Sequence, residues 1–172
     1  ILVLSNMIKD KDYDYESIVY SKEYLSEEVK ESVEKIKEEE RKEEKALELE
    51  KQKKVFDNLT YDELVAKINR NLNSTLTNKG HLFVDYSLEF GVDPYMATAI
   101  ALHETGCKWN CSSLMRQCNN VGGMKGKPGC NGGSYKRFDT LDEGIDAFLN
   151  NLYNNYYAKG YTTPEQIGPR YA

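Results

Sequence analysis

DPYMATAIALHETG, at residues 93–106, predicts a short helix that carries an acid near its end. Asp93 is a good N-cap, and Pro94 suits the first helical position, where its missing N–H is harmless. Gly106 can supply the left-handed residue that ends many helices. We expect the rest of the fold to be organised around this helix.

The acid in this helix is Glu104, which shares a stripe with the apolar residues Ala97, Ile100 and Ala101. That stripe predicts partial burial, and the last turn of a helix faces the negative pole of its dipole. Both effects favour the protonated acid, which a glycosidase uses to protonate a leaving oxygen. The alternative is an ordinary Glu at the rim of a packed helix.

Length and charge limit the classes of function. A chain of 172 residues fits about one domain plus an appendage. The net charge is −5 and no dense Lys/Arg cluster occurs, so no nucleic-acid partner is predicted. Residues 55–172 hold 12 acids and 11 bases, a nearly neutral balance that suits a largely uncharged sugar substrate.

The cysteines lie in one window, as Cys107, Cys111, Cys118 and Cys130. They predict either two local disulfides or a zinc site. Their spacing lacks the C-x2-C pairs of common zinc sites, and small loops without a core are often held by disulfides in oxidising compartments. We therefore favour disulfides, with Cys107–Cys111 and Cys118–Cys130 preferred among three pairings, and predict no metal or cofactor.

The N-terminal third differs from the rest of the chain. Residues 1–4 are apolar, which suggests the end of a trimmed signal or membrane anchor, although an arbitrary start would look the same. Residues 5–21 read as a linker, so the first region is 1–21. Residues 22–58 lack Pro and Gly and predict a charged helical stalk that could also bind a partner. Its coiled-coil spacing is interrupted by Glu40 and Glu43, so a solvated helix is favoured; the apolar positions are Leu25, Val29, Ile36 and Leu47.

Residues 59–172 predict a mainly α domain with one small β-hairpin. Capping boxes at Thr60 and Thr140, each followed by Glu at the third helical position, begin two helices. One of these runs to about residue 72, and another helix covers residues 79–90. Strand-like runs at 121–124 and 134–138 flank a Gly-rich loop and predict the hairpin.

Several motifs, in order and spacing, resemble the bacterial glucosaminidase (endo-β-N-acetylglucosaminidase) family of peptidoglycan hydrolases. They are AIALHETG at 99–106, NNVGGM at 119–124, YKRFDTLDEGI at 135–145, NYYAKG at 155–160 and QIGPRY at 166–171. The resemblance implies a lysozyme-like, mainly helical domain that cuts the glycan strands of peptidoglycan. It also implies an extracellular location, at the cell wall or the outer face of the cytoplasmic membrane.

The resemblance assigns roles to individual residues. It implies that Glu104 is the catalytic acid and that Tyr156, or its neighbour Tyr157, lies near the reacting sugar. The implied substrate-binding residues are Asn120, Gly123, Met124, Tyr135 and Tyr157, with the first three on the floor of the cleft.

A second catalytic carboxylate is not obvious. Residues 105–138 contain no Asp or Glu, although two-carboxylate glycosidases need a second acid across the cleft. Asp139 is the nearest candidate. If it does not act, the substrate's own N-acetyl group or C6 hydroxyl could attack, and the latter would make the protein a lytic transglycosylase with Glu104 as sole acid and base. A third alternative is a non-catalytic wall-binding module.

Overall fold

The computed structural model describes residues 27–171. The predicted linker at 1–21 and the start of the predicted stalk, with Leu25, lie outside this range. The described chain is mainly α, with seven α-helices and one two-stranded antiparallel hairpin. It divides between Glu50 and Lys51 into two compact units, which we describe separately.

Helix α1, Glu27–Lys51, is a long charged helix. Its ion pairs are local and exposed: Lys30 with Glu27 at 2.6 Å, and Glu38 with Arg41 and with Lys42. Each such pair contributes about 0.3–0.5 kcal/mol. The apolar side chains Val29, Ile36, Leu47 and Leu49 remain exposed. Within residues 27–171, none of the helices combines the length and the apolar character that a bilayer crossing requires.

The predicted stalk is too long at its C-terminal end. The helix stops at Lys51, and strand β1, Lys54–Phe56, pairs with β2, Leu59–Thr60. Asp57 and Asn58 both have positive φ, 48° and 56°, which is the backbone of a two-residue hairpin turn. Val55 and Phe56 pack against the core, and this burial outweighs the helix propensity of the segment.

Three helices lead to the acid. Helix α2, Tyr61–Asn69, has the predicted capping box of Thr60 and Glu63. It ends before residue 72, because the Asn69 side chain accepts a hydrogen bond from the Gly80 N–H and the chain turns. Helix α3 is Gly80–Phe90 and helix α4 is Pro94–Thr105, which lies where the sequence predicted it. Their buried core residues include Leu64, Ile68, Phe83, Val84, Ala97 and Ala101.

Three more helices follow the acid. Helix α5, Ser113–Cys118, was not predicted; its N-cap Ser112 accepts a hydrogen bond from the Met115 N–H. Helix α6, Leu141–Asn155, has the predicted capping box of Thr140 and Glu143. It buries Ile145, Phe148, Leu149 and Leu152, and each such side chain contributes about 1.5–3 kcal/mol. Helix α7 is Pro164–Ile167.

The predicted hairpin within residues 121–138 is not a regular one. Its two arms are joined by two isolated bridges, Lys125 with Tyr135 and Gly129 with Lys136, and contain no assigned strand. The Lys136 N–H still donates to the Met124 carbonyl across the arms, but the Asn120 side chain binds the Met124 N–H and the Lys136 carbonyl. The small hairpin of this fold is therefore β1–β2.

The four cysteines form the two predicted disulfides. Cys107 is bonded to Cys111, with a Cα–Cα distance of 4.1 Å, and Cys118 to Cys130, at 5.8 Å. The preferred pairing is confirmed. The zinc alternative is wrong, because all four sulfurs are engaged in these bonds.

Candidate active site

Helix α4 presents Glu104 from a firmly held position. The Asp93 carboxylate accepts hydrogen bonds from the N–H groups of Tyr95 and Met96, at 2.8 and 3.1 Å. Gly106, at φ 68°, closes the helix and donates its N–H to the carbonyl of Leu102. The inner face, with Ala97 and Ala101, has no exposed surface. Because both ends are capped and one face is packed, the direction of the last turn is fixed.

Glu104 itself is exposed, so the predicted partial burial is wrong. It shares the last turn with Thr105, but the Thr105 side chain is buried in the protein whereas that of Glu104 faces solvent. Thr105 donates its hydroxyl to the Ala101 carbonyl at 2.5 Å. The carboxylate of Glu104 therefore meets solvent directly and can meet a ligand.

The backbone at Gly123 lies beside this carboxylate. A Cβ built on Gly123 would be 3.7 Å from Oε2 of Glu104. Gly123 has φ +61°, a left-handed conformation that glycine adopts without cost. The structure thus brings together Glu104 and Gly123, two of the residues predicted for the site.

The preceding residue, Gly122, is required by packing. A Cβ there would lie 2.5 Å from the Phe148 ring, which is fully buried in α6. The loop can therefore reach Glu104 only because Gly122 lets its backbone rest on the core. The two adjacent glycines are required for different reasons. At Gly122 the core leaves no room for a side chain, and at Gly123 the backbone has a left-handed conformation.

Asn120 holds this loop from below. Its side chain is 1% exposed, and its amide donates to the carbonyls of Met124 and Lys136 at 2.8 and 2.7 Å. Its oxygen accepts the Met124 N–H at 2.9 Å. Both N–H donors are used within the protein, so Asn120 holds the loop that contains Gly123, and its predicted place on the cleft floor stays a prediction.

Tyr156 and Tyr171 form an aromatic pair near Glu104. Their ring centroids are 5.9 Å apart with an interplanar angle of 29°, and the Tyr156 hydroxyl donates to the Arg170 carbonyl at 3.3 Å. Burial raises the pKa of Tyr171, and the charge of nearby Glu104 and then Tyr156 raise it further. Tyr171 was not predicted as a site residue; the only signal was its place at the end of the QIGPRY motif.

Tyr157 lies at the other end of helix α4. Its hydroxyl accepts the Asp93 N–H at 3.3 Å, and partial burial is the main cause that raises its pKa. At about 1.5 Å per residue, Asp93 and Glu104 are about 16 Å apart along the helix. Tyr156 packs instead on Tyr171, and the prediction that one of the two adjacent tyrosines lies near the reacting sugar stays a prediction.

The remaining predicted residues lie on the same loop or just after it. Met124 is half-buried against the core, and Tyr135 is 45% exposed on the far arm of the loop. Asp139 precedes α6: its N–H donates to the Glu143 carboxylate at 3.0 Å, and its carbonyl accepts from the Asn119 amide at 3.3 Å. These bonds fix the backbone of Asp139, and its predicted role as second carboxylate stays a prediction.

The candidate site thus consists of the exposed Glu104 carboxylate at a capped helix end. The backbone of Gly123, which carries no side chain, lies on one side of it, and the Tyr156–Tyr171 pair lies nearby. Comparison with known proteins adds no family to this description: the sequence matches no protein-family model, and no curated protein matches it.

Proposed function

We propose that this protein cleaves the glycan strands of peptidoglycan, with Glu104 as general acid on a lysozyme-like helical domain. The observation that carries the proposal is the relation of Glu104 to Gly123, where a Cβ would be 3.7 Å from Oε2. An exposed carboxylate beside a side-chain-free backbone leaves room for a sugar at the acid. The motif resemblance to the glucosaminidases supports the same residue.

In this proposal Glu104 protonates the glycosidic oxygen as the bond breaks, and positive charge develops on the sugar. The tyrosine pair supports this chemistry in two ways. Ring faces suit the apolar faces of sugars, and a phenol oxygen can stabilise the developing charge. Tyr156 is the better placed of the two predicted tyrosines, because it packs on Tyr171, whose pKa responds to Glu104.

The group that accepts the glycosyl unit distinguishes two versions of the reaction. Asp139 as second acid would give hydrolysis of the endo-β-N-acetylglucosaminidase type. The absence of Asp and Glu from residues 105–138 supports the alternative, in which the C6 hydroxyl of the muramic sugar attacks and leaves a 1,6-anhydro end. Glu104 would then act first as acid and afterwards as base.

The location follows from the same proposal. Peptidoglycan lies outside the cytoplasmic membrane, and the two disulfides support an oxidising compartment. The N-terminal region, including the charged helix α1, would hold the enzyme near a membrane or a partner.

The test is digestion of purified sacculi with Glu104→Gln, using Glu89→Gln as matched control. Glu89 is an exposed glutamate of α3. We expect Glu104→Gln to lose release of soluble fragments and the control to keep it. Equal release by Glu104→Gln and wild type would reject the proposal. Sedimentation of the wild type with sacculi without any release would instead indicate a binding module.

Mass spectrometry of the released ends identifies the reaction. Reducing N-acetylglucosamine indicates a glucosaminidase, reducing N-acetylmuramic acid a muramidase, and an anhydro end a transglycosylase. Asp139→Asn adds a second readout: loss of activity supports a base at Asp139, whereas unchanged activity supports an acceptor within the substrate.

A further inference from the structure

Trp109, the single tryptophan of the chain, is 83% exposed. It lies in the loop between Cys107 and Cys111, directly after helix α4. Single exposed apolar residues are common on protein surfaces and by themselves indicate nothing. Trp109 differs from such residues because its loop is held in place by several hydrogen bonds and a disulfide.

Hydrogen bonds hold the Cys107–Cys111 loop on both sides of Trp109. Asn73 donates its N–H to the Cys107 carbonyl at 3.2 Å and its side-chain amide to the Lys108 carbonyl at 2.8 Å. Trp109 donates its own N–H to Gly106, and Arg116 donates to the Asn110 side chain and the Cys111 carbonyl. With the disulfide, these bonds leave little backbone freedom to lose when a ligand binds.

Several sequence neighbours of Trp109 are polar. Its sequence neighbours Lys108, Asn110, Ser112 and Ser113 are all exposed. The Lys108 ammonium lies 6.0 Å from the ring centroid. A broad apolar face with hydrogen-bonding groups and one cation around it matches a sugar ring that carries a carboxylate.

We propose that Trp109 and Lys108 form an additional saccharide subsite for a glycan that bears carboxylates, such as the lactyl groups of muramic acid. The sugar stacks on Trp109, and Lys108 pairs with the carboxylate. This rests on the proposed function for its ligand, because a glycan strand at Glu104 must continue along the surface. Trp109 lies five positions after Glu104 in the chain, which limits their Cα distance to about 18 Å.

A membrane surface is the other ligand that exposed tryptophans meet. Bilayer insertion is favoured by several exposed apolar side chains, whereas the exposed sequence neighbours of Trp109 include Lys108, Asn110 and Ser112. The glycan is therefore the occupant that the chemistry favours.

The single tryptophan makes the test direct, because tryptophan emission excited selectively over that of the 13 tyrosines reports on this loop alone. The full chain with Glu104→Gln, which leaves the ligand uncut, is titrated with two probes. One is a neutral N-acetylglucosamine tetramer, and the other is peptide-free glycan with free lactyl carboxylates. We expect a saturable fluorescence change with both, and tighter binding of the charged glycan.

Variants assign the contributions in the same background. Trp109→Ala is expected to weaken sedimentation with sacculi about ten-fold. Leu88→Ala, at another exposed apolar residue, serves as control and should bind unchanged. Lys108→Ala is expected to remove the preference for the charged glycan and to leave binding of the neutral tetramer unchanged.

Unchanged fluorescence together with unchanged binding by Trp109→Ala would overturn the subsite, and so would a response to anionic phospholipid vesicles without one to glycan. The proposed function fails separately. A wild type that releases no fragments but shows the fluorescence response rejects cleavage and supports the subsite. Fragment release with silent fluorescence and unchanged binding by Trp109→Ala supports cleavage and rejects the subsite.

Discussion

Oε2 of Glu104 lies 3.7 Å from the position that a Cβ on Gly123 would occupy. Glu104 ends a helix, and Gly123 belongs to a loop that returns over the core beyond helix α5. The two residues carry different parts of the candidate site. In the proposed function, Glu104 is the reactive group and Gly123 leaves space beside it.

Gly123→Ala tests that relationship. The new methyl group would only touch the carboxylate, but φ +61° is strained for alanine, and we expect a loss of stability of about 1 kcal/mol. Gly91→Ala is the matched control, because Gly91 has φ +69° and nothing within 4 Å of its added Cβ. Both variants should lose similar stability in urea unfolding, and only Gly123→Ala should lose cleavage of sacculi. Equal activity of the two variants would contradict the role of this contact.

Ser87→Ala should stabilise the protein. Within residues 27–171, the Ser87 hydroxyl is the buried side-chain polar atom that lacks a hydrogen-bond partner. Burying this hydroxyl removes its hydrogen bonds to water without replacing them. Its removal should therefore raise the free energy of unfolding by about 1 kcal/mol. Thr98→Ala, which removes a hydroxyl donating to the Pro94 carbonyl at 2.7 Å, should be destabilising. Thermal unfolding compares the two, and a lower Tm for Ser87→Ala would refute the expectation.

Stability should fall at alkaline pH. The pKa of Tyr86 is raised to about 12, mainly by its hydrogen bond to Asp142 and secondly by burial. The pKa of Tyr61 is also raised to about 12, mainly by burial and secondly by its hydrogen bond to Asp85. Unfolded tyrosine titrates near pH 10. The folded state therefore holds these protons more tightly, so this contribution is complete below about pH 10 and is lost as pH rises toward 12.

The check is urea unfolding of the wild type and a Tyr61→Phe/Tyr86→Phe double variant at about pH 8 and about pH 11. The double variant should lose less stability between these pH values, because it lacks both titrating groups. Tyr153→Phe, at an exposed tyrosine, is the control. An unchanged pH dependence in the double variant would contradict the assignment.

The two disulfides should differ in their effect. Cys118–Cys130 closes a loop of sequence separation 12 and Cys107–Cys111 one of 4. Loop-closure entropy predicts that removal costs about 3 kcal/mol for the first and about 2 kcal/mol for the second. Double Cys→Ser variants measured by urea unfolding compare these values. A larger loss for Cys107→Ser/Cys111→Ser would show that contacts of the Asn73-bound loop dominate over chain entropy.

Both limits of α4, the start of α2 and the cysteine pairing were predictable from the sequence because they depend on groups close along the chain. Asp93, Pro94 and Gly106 define α4, and Thr60 with Glu63 begins α2, through hydrogen bonds within four residues. The candidate acid was found for the same reason, because its position in the last turn follows from the helix limits.

The surroundings of Glu104 depended on contacts between distant segments. Its exposure, the approach of Gly123 and the proximity of Tyr171 follow from how the loop and the C-terminal segment pack on the core. Likewise, the contact of the Tyr157 hydroxyl with the Asp93 N–H joins distant segments, and the β1–β2 hairpin required burial of Val55 and Phe56. The sequence by itself thus determined which acid stands at the helix end. Only the tertiary structure decided what surrounds it, because long-range packing is not encoded in local backbone preferences.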